Sequence, residues 1–538
     1  MPKRWTPGRG PRQGPPAARA QRVLASRGGR GAAAVGAGAL PALAFPAPGL
    51  WWVAYVALVP WMLLARSAPS GRRAALDGWL GGAGFVVAVH HWLLPSLHVF
   101  TFALAALVGL LWLPWGWLVR LMLGGRPAVP RALAAVVLLP SGWLMVELAR
   151  SWEGLGGPWG LLGSSQWEVT AGLRLASLGG VWLVGLLVVA VNTALVVLLT
   201  LPYARTAAGS ALVACVLLVG ASWLWAPRPA HVRTARVAVV QPGVFDGAGS
   251  AERRLARGEE LTRTLAGQRV DLVVWGESSV GEDLTARPDV AERLAALSRL
   301  VGADVLVNVD ARRSDRSGIY KSSILVGPEG PAKARYDKMR LVPFGEYVPA
   351  RAVLGWATSV GRAAGEDRLR GTRQVVMPLR NGLRLGPLVC FESAFPDMSR
   401  RLVRDGAQVL VAQSATSTFQ GSWAPRQHAS LAALRAAETG RPMVHATLTG
   451  VSTVYGPGGS RVGEPLGTDR SAAAVYDVPL SRGLTPYARY GNWAVPLAMC
   501  ALALLLATEG VRSLRKPAPR PSVRSARTAR GSPARPVR

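Results

Sequence analysis

Apolar residues gather in long runs between about residues 31 and 227 and again near 492–508, while the stretch between has ordinary soluble composition. A run of about 20 apolar residues is long enough to cross a bilayer as a helix. Seven candidate spans precede the polar stretch, near 31–47, 49–65, 76–97, 100–123, 131–149, 175–201 and 209–227, and an eighth follows it near 492–510. Only Pro46, Pro48 and Gly49 separate the first two. A secretory leader would also begin with basic residues and an apolar core. Here six further apolar runs follow the first, which favours a multi-spanning protein.

Within 233–480 the pattern changes to short β-branched runs alternating with helical periodicity. Strands are predicted at 237–243, 271–278, 303–312, 383–393 and 406–416, helices at 251–267, 290–302 and 426–442, and a hairpin at 443–459. Strands alternating with helices indicate a layered α/β domain. The expected organisation is a basic cytoplasmic tail (1–30), a seven-helix membrane region (31–228), a catalytic α/β domain (229–490), a C-terminal membrane helix (491–510) and a second basic tail (511–538).

Charge refines this picture. The formal net charge of +32 would suit a nucleic-acid binder, but residues 1–30 and 511–538 supply about half of it and contain no acid. Basic flanks beside apolar spans read as cytoplasmic anchors, so no nucleic-acid partner is expected. With the N-terminus inside, Arg66, Arg72, Arg73, Arg120, Arg126, Arg131 and Arg205 all fall in inward loops. That places both termini in the cytoplasm and the α/β domain outside it, on a multi-pass protein of the bacterial plasma membrane. The outward loop 150–174, with Trp152, Trp159 and Trp167, suits either an interfacial aromatic belt or a lid beside the domain's site.

Of three cysteines, Cys215 and Cys500 lie in apolar runs and only Cys390 lies in the polar domain. A disulfide framework and a thiolate metal site are not expected, and the six histidines show no zinc-binding spacing. No metal or organic cofactor is expected. Reactive side chains favour the ends of buried strands, and three candidates stand there or nearby. Glu277 closes a strand, Cys390 closes another, and Lys338 sits in a segment too rich in Pro, Gly and aromatics for a plain surface helix. A thiol needs a base, and the oxyanion formed on its attack needs a cation. Glu, Lys and Cys therefore suffice for acyl transfer. A Cys after a strand is otherwise most often a small buried hydrophobe.

The order Glu277, Lys338 before LVPFGEYVP (341–349), then Cys390-Phe391-Glu392, resembles the nitrilase superfamily. LVPFGEYVP, GPWGLLGSSQ (157–166) and GLTPYARYGNW (483–493) resemble more specifically the apolipoprotein N-acyltransferase family. The resemblance implies about eight membrane helices carrying an extracytoplasmic nitrilase-like αββα sandwich. It implies that Glu277 is the general base, Lys338 the oxyanion stabiliser and Cys390 the nucleophile, supported by Glu346, Phe391 and Glu392, with Trp159, Gln166 and Phe419 near the substrate. The implied reaction passes an acyl chain from a phospholipid donor through a Cys390 thioester to the amine of a diacylated apolipoprotein, with other membrane lipid-processing enzymes as possible associates. The alternatives are a membrane-anchored carbon–nitrogen hydrolase and a non-catalytic scaffold. Where the family often carries an Asn-Asp-Ala-Trp-Phe-Gly-like stretch, this chain reads Ala415 to Gln420 and keeps only Phe419. It also lacks a Trp that the family often carries in the segment 244–256.

Overall fold

The computed structural model describes residues 26–354 and 365–514. Most of both basic tails lies outside the described residues. Among the described residues all eight apolar runs form helix, and six of the helices have the length and composition to cross a membrane. Those six are Gly71–Leu97, Phe100–Leu123, Val129–Arg150, Thr170–Thr200, Pro202–Trp225 and Ala494–Val511. The first two runs are broken into shorter pieces: helix Arg27–Ala39 with a 3-10 turn at Leu40–Ala44, and a 3-10 turn at Trp51–Tyr55 with helix Val59–Ser67. Pro41, Pro46 and Pro48 cannot donate to a helix ladder, so the chain turns where they cluster.

Helix Gly71–His90 is the hub of the bundle because its glycines let backbones touch. A Cβ on Gly78 would stand 2.3 Å from the Trp112 carbonyl oxygen, and one on Gly84 2.1 Å from that of Val35. Around it Trp61, Trp112, Trp115 and Trp143 pack edge to face or tilted, with centroids 5.0 to 6.4 Å apart. Asp77, buried in this helix, is neutralised by Arg30 at 2.8 Å and Arg73 at 2.9 Å.

Two six-stranded sheets form the α/β domain. The strands are β1 (Ala230–Gln241), β2 (Leu272–Trp275), β3 (Asp304–Arg312), β4 (Ile319–Gly327), β5 (Gly330–Asp337), β6 (Met377–Pro378), β7 (Arg384–Val389), β8 (Val409–Ser414), β9 (Met443–Thr447), β10 (Ser452–Tyr455), β11 (Arg461–Leu466) and β12 (Ala472–Arg482). One sheet runs β12-β1-β2-β3-β4-β5 and the other β11-β10-β9-β8-β7-β6. The central strands β1-β2-β3 and β7-β8-β9 are parallel, as their near-continuous apolar runs require, and the outer strands are antiparallel. Val237, Val274 and Leu306 from one sheet meet Val389, Val411 and Val444 from the other.

Helices Ser250–Arg263 and Pro288–Val301 cover the first sheet's outer face. Helices Pro396–Arg404 and Ala424–Thr439 cover the second, completing an αββα sandwich. Helix Ala424–Thr439 has no solvent face: only Arg426 is exposed along it. Its inner side packs on the sheet, and its outer side packs on membrane helix Thr170–Thr200. That membrane helix is interrupted at Gly179 and Gly180, and Glu438 accepts from the freed Val181 amide at 2.7 Å. The segment GLTPYARYGNW docks at the same interruption, where Tyr487 packs on Gly180 and the Trp493 indole donates to the Leu178 carbonyl at 2.8 Å.

Candidate active site

Glu277 does not end its strand directly: β2 stops at Trp275, and Gly276 makes the turn. A Cβ on Gly276 would stand 1.9 Å from the Leu448 amide nitrogen, so only glycine lets this chain end cross onto the second sheet. The Glu277 amide then donates to the Ser414 carbonyl at 3.1 Å, which carries a carboxylate of the first sheet over the β7–β8 end of the second. Cys390 follows β7 at the start of the 3-10 turn Cys390–Ala394 with φ of 51°, a half-buried strand-to-turn elbow. Lys338 follows β5 and is fully buried.

The structure brings these groups together. Lys338 Nζ donates to Glu277 Oε1 at 3.2 Å and to Glu346 Oε1 at 2.7 Å. The Cys390 thiol faces the Glu277 carboxylate and lies 3.9 Å from the Ala415 carbonyl oxygen. Glu392 holds the frame. Its Oε1 accepts from Tyr336 Oη (2.7 Å) and from the Met339 (2.7 Å) and Arg340 (3.0 Å) amides, and its Oε2 accepts from the Val389 amide (2.8 Å). One buried carboxylate thus ties the backbone beside Lys338 to the backbone before Cys390. Burial keeps the Glu392 carboxyl above the usual range despite these donors.

Electrostatics divide the roles. Burial alone would raise the Glu277 pKa, but the Lys321 and Lys338 ammoniums beside it prevail and hold it at about 2. Burial, with the negative charge of Glu277, pushes the Cys390 thiol up to about 12 against the pull of the two lysines. At rest the site therefore holds an ionised carboxylate and a neutral thiol.

A cavity of about 210 Å³ opens beside Cys390. One wall is domain, with Phe391, Thr416, Phe419 and His428. The other is membrane helix, with Val86, Leu97, Leu104 and Val108, so the cavity passes from the thiol into the bundle. The loop after helix Val129–Arg150 closes a side of it through Gly154 to Gly157 and Trp159, a position that suits the lid reading of this loop. That loop is held from below: Arg150 donates to the Trp159 and Gly160 carbonyls at 2.7 Å each, and Glu147 accepts from the Leu162 amide at 2.7 Å. Trp159 lines the cavity, and its indole donates to Gln427 Oε1 at 2.8 Å. Gln166 is not among the lining residues. It is fully buried and donates to the Trp51 carbonyl at 3.0 Å, bracing the loop against the first helices.

Sequence reasoning missed Lys321, Trp92, Gln427 and His428. Trp92 donates to Gln427 at 3.2 Å and packs 4.9 Å from the Phe419 ring. His428 Nε2 lies 3.1 Å from the Cys390 carbonyl oxygen. The helix that carries Gln427, His428, Arg435 and Glu438 is legible in the sequence, but its near-complete burial is visible only in the fold.

Two facing sheets, with Glu277 and Cys390 gathered where central strands end and Lys338 brought in from the end of edge strand β5, define a nitrilase-like domain carried on membrane helices. Residues 236–483 match the carbon–nitrogen hydrolase family, and residues 37–194 match the apolipoprotein N-acyltransferase N-terminal domain. The chain is 34% identical over 526 residues to the apolipoprotein N-acyltransferase of Azotobacter vinelandii, covering 92% of this chain and 97% of the relative. It is 32% identical to that of Pseudomonas aeruginosa and 30% identical to that of Geobacter metallireducens, each over 88% of this chain and 94% of the relative. The chain belongs to the apolipoprotein N-acyltransferase family. Among solved structures it is similar to a nitrilase-superfamily amidase from Nesterenkonia, at 20% identity and a TM-score of 0.34, covering 49% of this chain and 95% of that one.

Proposed function

We propose that this protein N-acylates the N-terminal diacylglyceryl-cysteine of lipoproteins, taking the acyl chain from a phospholipid through a thioester on Cys390. The observation that carries this reading is the apolar cavity joining the Cys390 thiol to the membrane helices, which gives lipid acyl chains a route to the nucleophile. A carbon–nitrogen hydrolase acting on small amides has no use for such a route.

In the first half-reaction Cys390 Sγ attacks the ester carbonyl while Glu277 takes the thiol proton. With a thiol this weakly acidic and a carboxylate this weakly basic, the proton leaves as the S–C bond forms rather than before it. Lys338 spends two of its three N–H donors on Glu277 and Glu346, and the third serves the oxyanion. As the C–O bond breaks, Glu277 returns the proton to the departing lysophospholipid hydroxyl. In the second half the lipoprotein α-amine attacks the thioester, an amide forms, and the amine's proton restores the thiol by way of Glu277. Water is kept from the thioester by the apolar wall.

The placement of charge supports an outside location for the domain (229–490) on eight spans. Arg66 donates to the Gly125 carbonyl, Arg120 to that of Pro69, and Arg131 pairs with Glu509, so the basic loops gather at one end of the bundle. Helix Val129–Arg150 is 22 residues long, with Arg131 near that end and Arg150 at the cavity end. At a rise of about 1.5 Å per residue the two arginines stand about 28 Å apart, close to the thickness of a bilayer's hydrocarbon core.

The test is the full chain and its Cys390→Ala variant expressed in membranes lacking the native enzyme, with mass spectrometry of one lipoprotein's N-terminal peptide. A third acyl chain is expected with the first and not with the second. A third chain with both would remove Cys390 as nucleophile, and none with either, beside a working control enzyme, would favour the hydrolase or the non-catalytic scaffold.

A further inference from the structure

Lys321 stands in the site without any sequence motif around it. It lies on β4 directly opposite Asp310 of β3, with its side chain largely buried. Its Nζ donates to Glu277 Oε1 at 2.8 Å and lies 3.0 Å from Glu346 Oε1. Those are the same two oxygens that Lys338 binds, at 3.2 and 2.7 Å. The four side chains form a ring of alternating sign, Glu277–Lys321–Glu346–Lys338, with each oxygen shared between two ammoniums.

The ring matters because of what two carboxylates do when they must share one cation. In a buried site one of them takes up a proton, since two like charges at that distance do not both stay ionised. If the proton sat on Glu277, that group could not receive the one from Cys390. Other groups do not replace Lys321. Asp310, 3.8 Å from Lys321 Nζ, adds a third negative charge, drawn off by Arg368 (3.3 Å) and Ser278 (3.2 Å) and faced by Arg254 from helix Ser250–Arg263. From helix Ala424–Thr439 comes only His428, which burial keeps neutral near physiological pH. From the elbow comes the Cys390 thiol.

We propose that Lys321 is a positioning residue for acyl transfer: it keeps Glu277 and Glu346 ionised together, and so leaves Glu277 able to take the Cys390 proton. This rests on the acyl-transfer reading above, and the two are separable by experiment.

The full-length enzyme in mixed micelles would be compared with Lys321→Met and Lys321→Arg, with Cys390→Ala as blank. Two rates would be followed across pH: alkylation of Cys390 by iodoacetamide, resolved by peptide mass, and thioester formation from phosphatidylethanolamine. Wild type and Lys321→Arg are expected to keep both rates flat on the acid side. Lys321→Met is expected to show an acid limb moved up by at least about one pH unit, with rates above it recovering to within about threefold of wild type. A uniform loss with an unmoved alkylation limb would assign Lys321 a merely structural part and overturn the proposal. Should Lys321→Met fail to fold, Lys321→Gln takes its place. Should both fail, a moved limb in Lys321→Arg, which keeps the charge, would overturn it and an unmoved one would uphold it. A moved alkylation limb without any wild-type thioester would uphold Lys321 and sink the acyl-transfer reading instead.

Discussion

At the scale of single residues, backbone strain and charge converge on the same few atoms. Ser278, Phe344 and Cys390 adopt φ of 53°, 62° and 51°: Ser278 follows Glu277, Phe344 lines the cavity two residues before Glu346, and Cys390 is itself a proposed site residue. Non-glycine residues hold such angles only where the surroundings over-determine them. Glu392 and Glu346, each buried and bound to backbone amides, supply that constraint. The depressed Glu277 has a pH signature. Its folded pKa of about 2 lies below its ordinary value of 4.5, so its ion pairs contribute full stability above that ordinary value, and the contribution is lost as pH falls from 4.5 toward 2. Thermal unfolding of wild type is therefore expected to lose stability more steeply through that window than Glu277→Gln does. Equal slopes for the two would show that Glu277 carries no such pairing.

At the scale of elements, the strands written in apolar runs and the helices with helical periodicity were legible in the sequence, and the partly polar strands were not. β2, β7, β8, β9, most of β3 and the second half of β1 are buried on both faces, and runs such as 272–274 and 409–411 read directly as strands, whereas the exposed start of β1 (230–236) did not. β4, β5 and β12 were missed because each is partly polar, and β12 is also fixed by β1 more than 200 residues away. Lys321 was hidden for the same reason, since its meaning comes from Asp310 and Glu277 and not from its neighbours in β4. The broken first two helices were signalled only by their prolines. The loop 153–157 shows how element geometry constrains chemistry. Gly157 has φ of 67°, and a Cβ there would stand 2.6 Å from the Phe391 ring. Gly157→Ala is expected to cost about 1–2 kcal/mol locally and to lower thioester formation about tenfold, with overall folding retained. An unchanged rate in a thioester assay would mean that the loop does not shape the cavity.

At the scale of the whole molecule, the domain and the bundle share a layer. Helix Ala424–Thr439 belongs to the sandwich by its inner side and to the membrane region by its outer side. Arg435 on this helix donates to the Ala394 carbonyl at 2.8 Å at the end of the Cys390–Ala394 turn, and its pair Glu438 caps the interrupted membrane helix. The domain excised as 229–490 is accordingly expected to aggregate, or to need detergent, because the outer side of this helix would meet water. A monodisperse excised domain, measured by light scattering without detergent, would contradict this. Nitrilase-like domains as a class are legible from Glu277, Lys338 and Cys390, but the dependence of this one on its bundle is legible only from burial.

The wall of Leu97, Leu104 and Val108 has a consequence for how rate would be counted under the proposed reaction. A lipid that enters sideways through that wall arrives by diffusion in a leaflet, and its abundance per unit area replaces its abundance per litre. Diluting the membranes with buffer would leave the turnover of each enzyme molecule unaltered, and diluting the donor with inert lipid would slow it.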